Sequence, residues 1–147
     1  MECDEVYIVA GHKGHPAAVR RQGRLGRRRR LKSQRGRGTL EREKPPVLGM
    51  IQRGGEVVLH MLSNVQQRTI QPIIRQTVRR GSLIYTDEYA IYERLQAWSL
   101  LRSWLRPHRG ISQEHLPFYL AFFEFAHNVR RRGKELLPSL LSLLLAP

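Results

Sequence analysis

The hydrophobic positions of this chain fall in short stretches whose period switches between that of a strand and that of a helix. Residues 5–10, EVYIVA, are β-branched or aromatic and predict a first strand, ended by Gly11, His12 and Gly14. After Pro45-Pro46, residues 47–52 and 57–62 predict two more strands, and Arg53-Gly54-Gly55-Glu56 between them predicts a hairpin turn. Residues 65–79 predict a helix with Asn64 as its N-cap and an apolar stripe of Ile70, Ile73, Ile74 and Val78. Pro72 marks either the true first turn of that helix or a kink, and Gly81 stops it. Leu83-Ile84-Tyr85-Thr86 is continuously apolar, the pattern of a strand buried on both faces. Residues 88–106 contain neither Gly nor Pro, and Ile91, Leu95, Trp98, Leu101 and Leu105 recur at steps of three and four. They predict one continuous helix, capped by Asp87 and ended by Pro107. A further helix is predicted over 113–132, and residues 134–145 form a Leu-rich tail containing Pro138.

Three early strands, a crossover helix and a fourth strand expected beside the first suggest, by topology alone, a ribonuclease H-like fold: an α/β mixed sheet with flanking helices, here incomplete. The expected organisation is one domain over residues 1–132, interrupted by an insert at 12–44, and a tail at 133–147.

Charge identifies the insert. Among 147 residues there are 26 Lys plus Arg and 12 Asp plus Glu, a formal net charge of +14. Residues 12–44 hold 13 of the basic groups and only two acids, Glu41 and Glu43, so that stretch carries +11 and the other 114 residues +3. With glycine at 14, 23, 26, 36 and 38 and the run Arg27-Arg28-Arg29-Arg30, almost nothing in it can be buried, and it reads as a mobile loop or long hairpin tip. Self-repulsion of that size favours an anionic partner, so Arg27, Arg28, Arg29, Arg30, Lys32, Arg35 and Arg37 are candidate phosphate contacts. The single cysteine, Cys3, excludes a disulfide framework and a Cys-based zinc site. The longest apolar run, Leu140–Ala146, is broken by Ser142 and falls short of the roughly 20 residues a spanning helix needs. The acidic start, with Glu2, Asp4 and Glu5, is not that of a signal peptide. A cytoplasmic, nucleic-acid-facing protein is expected, with no membrane partner.

Asp4 opens the first predicted strand and Asp87 closes the fourth. If those strands are neighbours, the two carboxylates repel unless a cation sits between them. Magnesium suits such an oxygen site, and a pair of ions would activate a water or 3′-hydroxyl and stabilise the leaving oxygen of a phosphodiester. Separately, Asp4 would be a surface acid and Asp87 a helix cap; together, in this order of elements, they favour a metal site. Glu5 and Glu88 are read as outward or helix-dipole acids.

The segments CDEVYIVAG, RGRGT, KPPVLGMIQRGG and LIYTDEYAIY resemble the catalytic domain of ISXO-like insertion-sequence transposases, members of the DDE superfamily. WSLLRSWLRPHRGISQEHLPFYLAFFEFAHNVRRR resembles the C-terminal part of the same domain. The resemblance implies a ribonuclease H-like fold, bacterial origin, and magnesium-dependent cutting and joining of transposon ends and target DNA. It maps the first two catalytic acids onto Asp4 and Asp87, and it suggests DNA contact near Arg106 and Arg109. A homo-oligomer is left open. Two departures stand out. The zinc-ribbon-like region that usually precedes this domain is expected to be absent, because Asp4 follows Met1 so closely. The family's third acid lies in a motif resembling N-T-x-E-G-F-W-S-L-L-R, of which this chain retains Trp98-Ser99-Leu100-Leu101-Arg102. Leu95 stands where the acid is expected and Tyr92 where the family has Asn. A few tens of residues between YTDEY and this motif are missing, which implies an internally deleted copy, catalytically dead.

The remaining residues carry weaker signals. His12 and His15 lie in the basic insert with no second pair at metal spacing, so a solvated or phosphate-facing role is expected. His60 reads as a strand residue. His108, in a Pro-His-Arg-Gly turn, suits a capping role or DNA contact equally. Phe118, Tyr119, Phe122, Phe123 and Phe125 are expected to pack in the core, with a base-stacking platform as the alternative. Arg130-Arg131-Arg132 ends its helix, where cations are favoured without any ligand. The functional expectation is a transposase fragment. A non-catalytic basic DNA- or RNA-binding protein is the alternative; it explains the charge but not the paired aspartates or the motifs.

Overall fold

The computed structural model describes residues 1–21, 38–52, 54–86, 91–108 and 110–133, together with Pro138 and Leu141. Strand β1 (Glu2–Tyr7) is followed by a short helix α1 (Pro16–Arg21), strands β2 (Pro46–Ile51) and β3 (Val57–Met61), and helix α2 (Gln67–Thr77). Strand β4 (Tyr85–Thr86), helix α3 (Ile91–Leu105), a 3₁₀ turn at Arg106–His108 and helix α4 (Leu116–Arg132) complete the order. The four strands form one mixed sheet in the order β3-β2-β1-β4. β1 runs antiparallel to β2, and β2 antiparallel to β3, whereas β1 and β4 are parallel.

The pleat sorts the strand residues onto two faces. Val6, Val47, Ile51, Val57 and Leu59 point one way and are buried under α3 and α4, which contribute Trp98, Leu101, Leu105, Leu116 and Leu120. Cys3, Leu48 and Met50 point the other way, with Leu62, against the half-buried Ile70, Ile73, Ile74 and Val78 of α2. The apolar stripe predicted for α2 is therefore the surface that covers the second face. No helix among the described residues is long and apolar enough to cross a membrane.

Several boundaries differ from the sequence expectation, for local reasons. β1 starts at Glu2 and its regular ladder stops opposite Pro46, because Pro45 and Pro46 have no N–H to give. Ile8 and Ala10 continue the contact irregularly, donating to the carbonyls of Pro45 and Glu43 at 3.2 and 2.9 Å. The insert is not loop throughout: residues 16–21, PAAVRR, form α1, with Pro16 at its start where a missing N–H costs nothing. α2 begins at Gln67, and Asn64 holds its start from outside by accepting from the Gln66 N–H at 3.2 Å and the Thr69 hydroxyl at 2.7 Å. Pro72 lies inside α2, beyond its first turn. β4 is shorter than predicted and is not buried on both faces: Leu83 is 66% exposed and Tyr85 44%. α3 is one continuous helix, as its period predicts.

β3 is an edge strand, and α4 covers that edge with side chains. The Val57 N–H donates to Asn128 Oδ1 at 2.8 Å, Asn128 Nδ2 donates back to the Val57 carbonyl at 2.9 Å, and the Leu59 N–H donates to Glu124 Oε2 at 3.0 Å. An amide side chain thus stands in for the next strand, which blunts a ladder otherwise open to pairing with another chain. Asn128→Ala leaves a donor and an acceptor of β3 without these partners. It is expected to cost about 1–3 kcal/mol, read as a shift of the urea midpoint at constant m, and to raise light scattering on storage.

Candidate functional site

Asp4 is the fourth residue of the chain and the third of β1, so the pleat sends its side chain to the α3 face, beside Val6. Across the sheet it is paired with Gly49 of β2, and Gly49 with Leu59 of β3. Gly49 is the one residue in that row without a side chain, and the indole of Trp98 fills the space. A Cβ built on Gly49 would lie 2.3 Å from the ring. From there Trp98 Nε1 donates to Asp4 Oδ2 at 3.1 Å. Trp98 is 5% exposed and Asp4 half-buried, so this charge-assisted bond forms at the margin of the core.

α3 lays Ala97, Trp98, Leu101 and Leu105 on the sheet and leaves Gln96, Ser99, Leu100 and Arg102 outward. Helical position 95 lies three residues before Trp98, on the same stripe and one turn nearer the helix start. On the other side of Asp4, β1 pairs with β4 through Glu2 with Tyr85 and Cys3 with Thr86. Asp87 and Glu88 lie outside the described residues, as do Arg27, Arg28, Arg29, Arg30, Lys32, Arg35, Arg37 and Arg109. Arg106 is exposed in the turn after α3.

The root of the basic insert is fixed to that turn. Lys13 Nζ donates to the carbonyls of His108 and Gly110, at 2.5 and 3.0 Å. Gly11 and Ser112 form a parallel bridge, with the Gly11 N–H donating to the Ile111 carbonyl at 2.9 Å and the Gln113 N–H to the Gly11 carbonyl at 2.8 Å. The start of the insert and the turn carrying Arg106 thus share one end of the molecule. His108 packs rather than caps: its ring lies 5.1 Å from Trp104 and 4.7 Å from Tyr119. His60 is a β3 residue, as expected.

The aromatic stripe of α4 corrects the sequence expectation. Phe123 is buried and Tyr119 half-buried, but Phe118, Phe122 and Phe125 are 73%, 60% and 46% exposed. The reason is geometric. One face of α4 is taken up by Leu116, Leu120 and Phe123 against the sheet, and a helix of this period cannot turn Phe118 and Phe125 to the same side. Phe122 stacks on Trp104 at 5.9 Å from outside.

Two partnerships were not legible in the sequence. Trp98 reads there as packing only, and nothing in its spacing reveals that its N–H meets Asp4, 94 residues away. His15 meets Glu114, with Nε2 to Oε2 at 2.8 Å, across a similar separation. Cys3, on the α2 face, is kept as an inert thiol, because burial pushes its pKa above the ordinary value.

A magnesium site of the expected kind needs several oxygen donors. Among the described residues no cluster of three metal-ligating side chains includes Asp4. They do not make a magnesium site by themselves, and no catalytic step is derived through one. Glu124, a conceivable substitute donor, is engaged on the β3 edge, two strands from Asp4.

Known proteins resemble the chain as follows. The ISXO2-like transposase domain matches residues 1–98. An uncharacterized protein in transposable element ISH50 of Halobacterium salinarum is 30% identical over 172 residues, which take in 96% of this chain and 56% of that protein. The chain therefore spans little more than half the length of the curated relative it matches. No solved structure matches it.

Proposed function

The chain belongs to the ISXO2-like transposase domain family, and on that premise we propose that it derives from a DDE-type enzyme that cut and joined transposon DNA ends with a divalent metal. In this copy the catalytic set is incomplete, and the basic insert holds DNA without chemistry. The observation that carries this reading is the parallel pairing of β1 with β4. Its last described pair is Cys3 with Thr86, the residues that directly precede Asp4 and Asp87 in the sequence. The strand order and directions agree with a ribonuclease H-like sheet, in which such a pair of acids would share a cation.

The third acid is where the set fails. The WSLLR segment reaches Asp4 through Trp98, and the resemblance of that segment to the family's third-acid motif aligns Leu95 with the third carboxylate. The match to the ISH50 protein runs over 172 positions, more than 96% of a 147-residue chain can fill, so this chain is gapped within it. Magnesium would then be bound weakly by Asp4 and Asp87. DNA, as transposon ends or as target, would be gripped by the 12–44 insert and by Arg106 and Arg109 at the turn to which Lys13 fastens the insert's root.

Salt dependence tests the DNA-binding half of the proposal. Each phosphate neutralised contributes about 0.9 to the slope of log affinity against log salt. Replacing Arg27, Arg28, Arg29 and Arg30 together by Gln is expected to lower that slope by up to about 3.5 and to weaken binding to all duplex sequences alike. Unchanged affinity and slope would place the DNA elsewhere on the molecule.

A further inference from the structure

We propose that His15, Glu114 and His115 form a site for a divalent ion of the zinc class, which clips the root of the basic insert to the start of α4. One ligand atom from each residue lies within 4.8 Å of the other two. A tetrahedral zinc with bonds of about 2.05 Å sets its ligand atoms about 3.3 Å apart. The observed His15–Glu114 separation of 2.8 Å brackets that value from below and the 4.8 Å limit from above. All three side chains are exposed, so small rotations suffice to reach the bound geometry.

The backbone around these donors is already in place. Glu114 and His115 directly follow Ser112 and Gln113, whose segment is bridged to Gly11, and Lys13 ties the same two segments together. An exposed ion pair contributes only about 0–1 kcal/mol, so the His15–Glu114 contact is a consequence of this framework rather than its cause. The Ser112 hydroxyl, itself buried, lies 2.8 Å from His115 Nδ1. That is how a ligating imidazole is usually held, by a second group that fixes the ring.

The donor set decides the class of ion. Two imidazoles and one carboxylate suit zinc and its transition-metal neighbours, with a fourth position left to water. Magnesium and calcium prefer oxygen and are poor competitors there. The site is separate from Asp4 and does not depend on the transposase reading. Its consequence is mechanical: His15 immediately precedes α1, so an ion shared with Glu114 and His115 fixes the start of α1 against the start of α4.

The test is equilibrium dialysis of the untagged chain against zinc in excess magnesium, with visible absorption of the cobalt derivative as a second readout. One zinc per chain is expected, with cobalt bands of a low-coordinate nitrogen–oxygen site. His115→Ala and Glu114→Gln should each weaken binding at least tenfold, and Ser112→Ala by about tenfold as the loss of a supporting hydrogen bond. His60→Gln should leave zinc binding unchanged. Failure to retain zinc, or retention that survives the His15→Ala/His115→Ala double substitution, overturns the proposal.

Discussion

Trp98→Ala is expected to cost about 3–5 kcal/mol of stability, the usual range for emptying a buried aromatic site. The indole is 5% exposed and lies directly on the backbone of Gly49, with its N–H on Asp4. Truncation would open a cavity between α3 and the centre of the sheet and take the indole N–H away from a half-buried carboxylate. Two partial substitutions separate these effects. Trp98→Phe keeps most of the packing and removes the N–H, for about 1.5–3 kcal/mol if the charged hydrogen bond carries its usual weight. Gly49→Ala keeps the N–H and drives a Cβ into the ring, an overpacking cost of about 1–3 kcal/mol. Urea unfolding followed by tryptophan fluorescence and circular dichroism reads all three. With total stabilities of about 5–15 kcal/mol usual for a domain, Trp98→Ala should leave the chain largely unfolded at moderate urea.

Supercoiled plasmid carrying matched transposon ends is expected to remain uncut by this chain in magnesium or manganese. Two carboxylates alone attract a cation but do not fix a second one, and small misplacements of reacting groups are costly to rate. Leu95→Glu returns an acid to the helical position one turn before Trp98. It is expected to tighten divalent-metal binding at least tenfold, since an opposite charge within a few ångströms is worth one or more pKa units of interaction. Cutting would follow only if the introduced carboxylate reached the geometry that a two-metal reaction requires. Nicking by the unaltered chain that disappears in Asp4→Asn would mean that another group completes the site, and the inactive reading would fall.

The elements that the sequence made legible are those whose pattern is local. The apolar runs Val47–Ile51 and Val57–Leu59, the Gly54-Gly55 turn and the stripe of α2 each follow from composition, period and turn chemistry, and each appears where expected within a residue or two. The continuous α3 was legible for the same reason, since no Gly or Pro interrupts it. What failed depended on neighbours. Leu83–Tyr85 has the composition of a buried strand, but among the described residues β4 pairs only with β1 and stays open on its other side. Phe118, Phe122 and Phe125 have the composition of core, but the sheet-facing stripe of α4 was already filled. The placement of Asp4 beside the fourth strand was legible from the order of elements. The indole bond to Asp4 and the meeting of His15 with Glu114 and His115 were not, because they arise from tertiary contacts that no sequence spacing encodes.

Manganese binding to three forms of the chain tests most directly whether Leu95 stands in the place of a lost metal-binding acid beside Asp4. The forms are the natural sequence, Leu95→Glu, and Leu95→Glu with Asp4→Asn, measured by the electron paramagnetic resonance of free manganese. The account predicts weak binding by the natural sequence, binding at least tenfold tighter in Leu95→Glu, and loss of that gain when Asp4 is also replaced. A Leu95→Glu chain that is folded but binds manganese no better than the natural sequence, or a gain indifferent to Asp4, would contradict it.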